Sequence, residues 1–205
     1  MQTSTTVVYL MTGIISAISL VSVRAHAQDV KQLVVAVCSK CHGVDGNSTL
    51  SRYPKLAGQS KEYLTVQLKA FRDQTRKDFD AHAFMWEPSN KLTDATIEQL
   101  GDYFAAQKPA PGKPGNAKLA EQGKGIYERG IESKRVPACA FCHGQQAQGT
   151  SKIPRLAGQH AAYLVRQLKV FHGNYRPGLS VTMKAVVEKL SDEEAEQVAA
   201  YLQGL

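Results

Sequence analysis

Several features that define common classes of protein are rare in this 205-residue sequence. It contains a single long apolar run, which excludes a membrane protein with several spanning helices. Low-complexity tracts are few, and a hydrophobic content of 43% is ordinary for a folded protein, which excludes wholesale disorder. Lysine and arginine outnumber aspartate and glutamate by 25 to 18, but they are scattered without a basic helix or an aromatic platform, so nucleic-acid binding is not indicated.

The single apolar run lies in an N-terminal segment that resembles an export signal. It extends over the 17 residues from Val7 to Val23 and is followed by Ala25-His26-Ala27, the small-x-small pattern of a signal-peptidase site. We therefore predict a signal peptide over residues 1–27, cleavage after Ala27 and a periplasmic mature chain. A retained membrane anchor is the competing interpretation, because no lysine or arginine precedes the run, but the run is short for a spanning helix and contains serines.

The rest of the sequence contains an internal duplication. Residues 38–43, Cys-Ser-Lys-Cys-His-Gly, match residues 139–144, Cys-Ala-Phe-Cys-His-Gly. From residue 54 to 72, 11 of 19 positions are identical to residues 154–172, and both stretches begin with Pro-x-Leu-Ala-Gly-Gln. A repeat of this length predicts two tandem domains related by duplication.

A segment rich in proline and glycine separates the two copies. Residues 108–115 contain three prolines and two glycines, which neither a helix nor a central strand tolerates. We therefore predict an N-terminal domain over residues 28–108, a linker over 109–116 and a C-terminal domain over 117–205.

The pattern of apolar residues is helical in both copies. Candidate first helices cover residues 30–41 and 118–129, and Ser60 is a residue type that caps the start of a helix. Asp94 and Asp192 are expected to begin the last helix of each copy. No stretch alternates apolar and polar residues in the manner of a hairpin, so the predicted fold class is all-α.

Each pair of cysteines is followed directly by a histidine. The residues are Cys38, Cys41 and His42 in the first copy, and Cys139, Cys142 and His143 in the second. This spacing is typical of c-type haem, in which two thioether bonds hold the porphyrin and the histidine ligates the iron. Disulfides or one shared zinc site would leave both histidines unexplained, and a thioredoxin-like motif needs a strand–helix context that is absent here. We therefore predict two covalently bound haem c groups.

Methionine is scarce after residue 11, where only Met85 and Met183 occur, at equivalent positions of the two copies. An isolated methionine is more often a core residue. A thioether is also a soft, neutral ligand for haem iron, and its recurrence in both copies predicts that these two residues fill the sixth coordination positions. The remaining histidines, His82, His160 and His172, have no histidine at the matching position of the other copy and are expected to lie on the surface or on a helix face.

On these motifs the sequence resembles the cytochrome c4 family, exported di-haem proteins with two class I cytochrome c domains in tandem. The resemblance covers nearly all of residues 28–205. It implies an electron-transfer protein and not an enzyme. It also implies His/Met coordination of both irons, which assigns one axial pair per domain: His42 with Met85, and His143 with Met183.

The resemblance also concerns the surroundings of the ligands. A ligating histidine normally donates its other ring N–H to a fixed acceptor, and in c-type domains that acceptor is the carbonyl group of a proline placed like Pro54 and Pro154. Both could instead be simple turn prolines. Four other polar residues recur and are candidates for bonds to the haem carboxylates, for bonds across the domain interface, or for ordinary packing: Tyr63, Gln67, Tyr163 and Gln167.

The implied function is that of a periplasmic carrier of single electrons, from a quinol-oxidising complex or a dehydrogenase to a terminal oxidase. Its partners would be redox proteins, without a small-molecule substrate, and peripheral membrane association is compatible with this role. The alternative is a cytochrome subunit of a dehydrogenase, such as flavocytochrome c sulfide dehydrogenase. A di-haem peroxidase needs a displaceable ligand at one haem, which two equivalent methionines argue against.

Positive charge is concentrated in the C-terminal half. Residues 28–110 contain 11 basic and 10 acidic side chains, whereas residues 111–205 contain 13 and 8. We therefore expect an acidic partner to dock on the C-terminal domain.

Replacing Lys134 and Arg135 by glutamine should slow the reaction with one partner and flatten its salt dependence, which stopped-flow kinetics at several ionic strengths will measure. Unchanged kinetics would contradict this assignment.

Overall fold

The computed structural model describes residues 30–173, 175–176 and 180–205, and the predicted signal segment lies outside these ranges. Within them the chain forms helices and loops, and the β-type pairing is confined to an isolated antiparallel bridge between Ile131 and Val136. The all-α prediction is confirmed. None of the helices in the described ranges is long and apolar enough to cross a membrane.

Within the described residues, the N-terminal domain has helices at the three positions expected from the sequence and a further helix that contains Met85. They are α1 (residues 30–42), α2 (Lys61–Arg72), α3 (residues 79–89) and α4 (Asp94–Ala105). Two of them contain a π-helical segment, Val34–Cys38 in α1 and Ala81–Met85 in α3. Such local widening of a helix is frequent at functional sites. Here the two segments end at the first haem-motif cysteine and at the predicted methionine ligand.

The C-terminal domain has a related arrangement, but its first helix ends before the second motif, which lies on a separate short helix. Its helices are α5 (Ala117–Arg129), α6 (Ala140–His143), α7 (Ala161–His172), α8 (Ser180–Val187) and α9 (Asp192–Gly204), with a short 3₁₀ turn at Glu132–Lys134. The predicted first helices agree with the structure to within one residue at each end.

Local capping explains where several of these helices begin. The side chains of Ser60 and Thr93 accept hydrogen bonds from backbone N–H groups of α2 and α4, and Ser191 forms a reciprocal capping box with Glu194 at the start of α9. Each such cap stabilises a helix by about 1 kcal/mol. His160 occupies the matching position before α7, but its side chain makes no cap and bonds elsewhere.

Each domain has its own buried apolar core, and in the C-terminal domain the first and last helices cross closely. In the N-terminal domain the buried cluster consists of Val30, Val34, Leu64, Leu100 and Phe104. In the C-terminal domain it consists of Tyr127, Ala140, Ala147, Leu164, Val198, Ala199 and Leu202. Gly123 of α5 lies directly against the backbone of Gln197 in α9, which allows these two helices to approach without an intervening side chain.

The proline-rich segment between the domains is extended, but it is held at both ends. Asn47 donates to the carbonyl oxygen of Lys108 at 3.0 Å and accepts from the backbone N–H of Ala110 at 2.7 Å. On the other side, the backbone N–H of Lys113 donates to the carbonyl oxygen of Gln203 at 3.0 Å. The segment therefore contacts both domains and is not a free tether.

Replacing Gly123 by alanine tests the close helix crossing. The new methyl group would collide with the Gln197 backbone, which cannot move without separating α5 from α9, so we expect a loss of about 1–3 kcal/mol in the free energy of unfolding. Gly125 of the same helix is the matched control, because a methyl group there would meet only the flexible end of Arg129. Its replacement by alanine should stabilise by about 0.5–1 kcal/mol. Guanidinium unfolding measures both, and equal effects would contradict the assigned crossing.

Candidate haem sites and the interface between them

The first haem motif lies at the end of α1. His42 is buried, with 6% of its surface exposed, and its Nδ1–H donates to the carbonyl oxygen of Pro54 at 2.9 Å. A carbonyl oxygen can only accept, so the proton lies on Nδ1, and Nε2 keeps the lone pair that a metal would need. The histidine is thus held in the tautomer and orientation of a haem ligand.

The second motif has the same geometry. His143, at the end of α6, is 7% exposed, and its Nδ1–H donates to the carbonyl oxygen of Pro154 at 3.1 Å. Burial lowers the pKa of both imidazoles, and the bond to the proline carbonyl offsets part of that change. Both rings are therefore neutral at pH 7, which is the ligating form.

No disulfide joins the four cysteines in the described structure, so their sulfur atoms remain available for thioether bonds. Burial raises the pKa of Cys38, and it raises that of Cys139 to about 11. Cys142 is exposed, and Phe141 beside it is 88% exposed. Each motif therefore presents two unpaired thiols next to a buried histidine, and the second motif reaches the protein surface.

The two methionines lie in equivalent elements but in different surroundings. Met85 ends the π-helical segment of α3 and is half-buried. Its neighbour Phe84 packs edge-on against Tyr53 at 5.6 Å between ring centroids, and Tyr53 lies 6.2 Å from the ring of His42. This aromatic contact places α3 near the first motif. Met183 is also half-buried and lies within α8.

A cluster of buried polar side chains joins the two domains, with Arg76 and Arg176 at its centre. These arginines are 5% and 6% exposed. Their guanidinium carbon atoms stack on the rings of Phe71 and Phe171 respectively, each 4.6 Å from the ring centroid. Arg76 donates to Gln67 at 2.9 Å and to Gln167 of the other domain at 2.8 Å.

Arg176, in the C-terminal domain, also forms hydrogen bonds to residues of both domains. Arg176 donates to Gln167 at 2.8 Å, and in the N-terminal domain to Gln67 at 2.6 Å and to Tyr63 at 2.9 Å. The recurring Tyr63, Gln67 and Gln167 therefore lie at the domain interface, one of the locations expected from the sequence. Sequence reasoning missed the two arginines, although they also recur at an offset of 100.

This cluster contains more positive than negative charge. Within the described residues its carboxylate is that of Asp78, 2.7 Å from Arg76, whereas the bonds of Arg176 are to neutral oxygens. The amide nitrogen Nε2 of Gln167 is buried and finds no acceptor among the described residues. A buried donor and an unbalanced charge are costly unless a further acceptor, preferably an anion, completes the cluster. The carboxylates of a haem have this chemistry, so the interface fits the predicted cofactor.

The glutamine that ends each Pro-x-Leu-Ala-Gly-Gln stretch bonds to the other domain. Gln59 is hydrogen-bonded to both backbone groups of Arg155, at 2.8 and 3.1 Å, and Gln159 to both backbone groups of Lys55, at 2.9 and 2.9 Å. Their identity in the two copies was visible in the sequence, but their partners, about 100 residues away, were not.

Two domains with unpaired Cys-x-x-Cys thiols and an oriented neutral histidine define a di-haem c-type cytochrome. The cytochrome c family profile matches residues 27–108 and 120–205. The chain is 39% identical to cytochrome c-552 of Acidithiobacillus ferridurans, covering 82% of this chain and 73% of that protein. It is 36% identical to cytochrome c4 of Stutzerimonas stutzeri, covering 83% and 85%. The chain therefore belongs to the cytochrome c family and, within it, to the cytochrome c4 proteins, and it carries two covalent haem c groups.

A solved structure and a further relative agree with this assignment. The structure of cytochrome c4 from Acidithiobacillus ferrooxidans superposes with a TM-score of 0.77 at 38% identity, covering 82% of this chain and 98% of that one. A protein named as a thiosulfate dehydrogenase electron acceptor in Thiomonas intermedia is 34% identical, covering 82% of this chain and 77% of that protein.

The surface predicted to dock a partner is less positive than its sequence suggests. Lys134 Nζ lies 2.7 Å from both carboxylate oxygens of Glu194, which neutralises much of its charge. Arg135 is exposed. The effect of neutralising both residues is therefore expected to come mainly from Arg135.

His160 is only half-exposed, and it joins the domains instead of lying on an open surface. Its Nε2–H donates to the carbonyl oxygen of Ser48 at 2.9 Å. Burial lowers the pKa of His160, the bond to Ser48 partly offsets this, and the positive charges of Lys55, Lys113 and Arg166 lower it further. The unfolded chain therefore binds a proton more readily than the folded one in the pH range just below 6.5.

Acidification should consequently weaken the folded state through His160. Stability associated with its neutral form is present above pH 6.5 and is lost as the pH falls through the lower, folded-state pKa. We expect His160→Gln to lose less unfolding free energy than the wild type between about pH 7.5 and 5.5, measured by guanidinium unfolding. His172→Gln, at an exposed histidine, is the matched control. Parallel pH profiles for all three proteins would contradict the assignment.

Proposed function

We propose that this protein carries single electrons, with Cys38 and Cys41 attaching one haem and Cys139 and Cys142 attaching the other. The axial ligands are proposed to be His42 with Met85, and His143 with Met183. One observation carries the proposal: in both domains the histidine after the Cys-x-x-Cys motif is buried, and its Nδ1–H is bound by a proline carbonyl. That arrangement leaves the lone pair of Nε2 available for iron.

The chemistry of the bound haem is reversible one-electron transfer, and the residues of the chain tune it. A thioether ligand favours the reduced iron, so a methionine in each domain supports a high potential. Methionine coordination of both irons also leaves no open position for a substrate. We therefore assign an electron carrier and not a peroxidase or another enzyme.

The interface cluster supports the same assignment. We infer that haem carboxylates supply the negative charge that the buried pair Arg76 and Arg176 lacks, and the acceptor that Gln167 Nε2 lacks. Buried, hydrogen-bonded groups around a redox centre change little when its charge changes. A small structural response to electron transfer is what a carrier requires.

The proposed location is the periplasm, where the chain would exchange electrons between a quinol-oxidising complex or dehydrogenase and a terminal oxidase. The apolar segment and small-x-small site at residues 1–27 support export. The exposed Cys142 and Phe141 support an approach of redox partners to the second domain, since that motif reaches the surface.

A second candidate function is that of a dedicated electron acceptor for a dehydrogenase. The observation that favours it is the likeness over most of both chains to the thiosulfate dehydrogenase electron acceptor of Thiomonas intermedia. A stable complex of fixed stoichiometry with a dehydrogenase on purification would support this function, whereas a freely exchanging chain supports the diffusible carrier.

Replacing each methionine separately tests the axial assignments. Met85→Ala should lower the reduction potential of the N-terminal haem alone, and Met183→Ala that of the C-terminal haem alone, because each removes the ligand that favours reduced iron. Redox titration followed by absorbance measures both potentials, with the wild type expected to be low-spin and to show a sulfur-to-iron charge-transfer band in the ferric state. A high-spin wild type, or unaltered titrations of both variants, would contradict the proposal.

A further inference from the structure

We propose that Gln59 and Gln159 are positioning residues, and that each acts on the axial histidine of the domain to which it does not belong. The proposal rests on the axial roles proposed above for His42 and His143. It assigns a function to the last residue of each Pro-x-Leu-Ala-Gly-Gln stretch and makes each haem environment depend on the other domain.

The first pair of hydrogen bonds joins the Gln159 side chain of the C-terminal domain to the backbone of Lys55 in the N-terminal domain. Gln159 Oε1 accepts from the backbone N–H of Lys55 at 2.9 Å, and Gln159 Nε2 donates to the carbonyl oxygen of the same residue at 2.9 Å. Two bonds to one residue fix both the position and the orientation of its backbone.

The second pair of hydrogen bonds joins the Gln59 side chain of the N-terminal domain to the backbone of Arg155 in the C-terminal domain. Gln59 Oε1 accepts from the backbone N–H of Arg155 at 2.8 Å, and Gln59 Nε2 donates to the Arg155 carbonyl oxygen at 3.1 Å. The two glutamines thus form a reciprocal pair of clamps across the interface.

Each clamped residue shares a peptide group with the proline that holds the histidine. The Lys55 N–H and the Pro54 carbonyl belong to one rigid, planar unit. Gln159 binds its N–H end, and His42 Nδ1–H binds its carbonyl end at 2.9 Å. Hydrogen bonds at the two ends of one peptide group polarise and strengthen each other, so Gln159 makes Pro54 a stronger and better-placed acceptor.

The same relation links Gln59 to the second haem site. Gln59 binds the Arg155 N–H, and the Pro154 carbonyl of that peptide group accepts from His143 at 3.1 Å. A histidine with a stronger acceptor on Nδ1 is a more basic ligand. A more basic ligand stabilises the oxidised iron, so each glutamine should lower the reduction potential of the opposite haem.

The surroundings of the glutamines define the orientation of their amides. Both side chains are 7% exposed. Each Oε1 also accepts from the backbone N–H of the following residue, at 3.2 Å for Ser60 and 3.1 Å for His160. Oε1 therefore faces two donors while Nε2 faces a carbonyl, which is the only arrangement of amide oxygen and nitrogen that satisfies all partners.

The test uses the full di-haem protein with Gln159→Leu, Gln59→Leu and the matched control Gln203→Leu. Leucine has a similar size, so it removes the amide while limiting the entry of a replacing water. Gln203 also bonds to backbone groups, those of Ala161 at 2.9 Å and Lys113 at 3.0 Å, but it touches neither proline peptide. NMR-monitored redox titration follows the haem methyl signals of each domain, and the axial-histidine Nδ1–H signals report each histidine–proline bond separately.

We expect Gln159→Leu to raise the potential of the N-terminal haem and to shift the His42 Nδ1–H signal, with Gln59→Leu doing the same to the C-terminal haem and His143. Gln203→Leu should leave both haems unchanged. Potential changes confined to the domain that carries the substitution, equal changes in both haems, or unchanged Nδ1–H signals in folded variants would overturn the proposal. If a leucine variant does not fold, alanine at the same position provides the measurement.

The wild-type spectrum separates this inference from the proposed function. Two axial-histidine Nδ1–H signals in the wild type support the ligand assignment whatever the glutamine variants do. Their absence would contradict the ligand assignment itself.

Discussion

The hydrogen bond from each haem-motif histidine to a proline carbonyl is the constraint on which the rest of the structure depends. It selects the tautomer of His42 and of His143 and fixes their orientation. The carbonyl lies in a loop and not in a helix, so the loop must itself be held. The residue that follows each proline is held by a glutamine side chain of the opposite domain. The geometry of one haem site is therefore completed by the fold of the other.

This dependence explains why the interface is polar and buried. Arg76 and Arg176 cross between the domains through Gln67 and Gln167, and stacking on phenylalanine rings covers both guanidinium groups. Such groups are expensive to bury, and they become favourable only when all are paired. The haem carboxylates are inferred to complete the pairing. The cofactor would then stabilise the association of the domains, and that association would in turn hold the ligands.

Local features of the fold were predictable from sequence, whereas features of the interface were not. Ser60 marks a helix start because a cap acts within a few residues of its own position, and Asp94 begins its helix as expected. The roles of Gln59 and Arg176 depend on partners about 100 residues away, which only the folded arrangement brings together. The duplication gave a usable signal, since both residues recur in the other copy. His160 gave no such signal, because a different residue type, serine, occupies its matching position, although Ser60 also bonds across the interface, to the carbonyl oxygen of Ser151.

The central claim, that each domain holds the proline peptide of the other, can be measured directly by hydrogen exchange. The backbone N–H groups of Lys55 and Arg155 lie in loops outside every described helix, so secondary structure does not protect them. Native-state exchange resolved by NMR should show both amides strongly protected, with the same free energy of opening, because one interface closes over both. Exchange of either amide at the rate of an open loop would contradict the account.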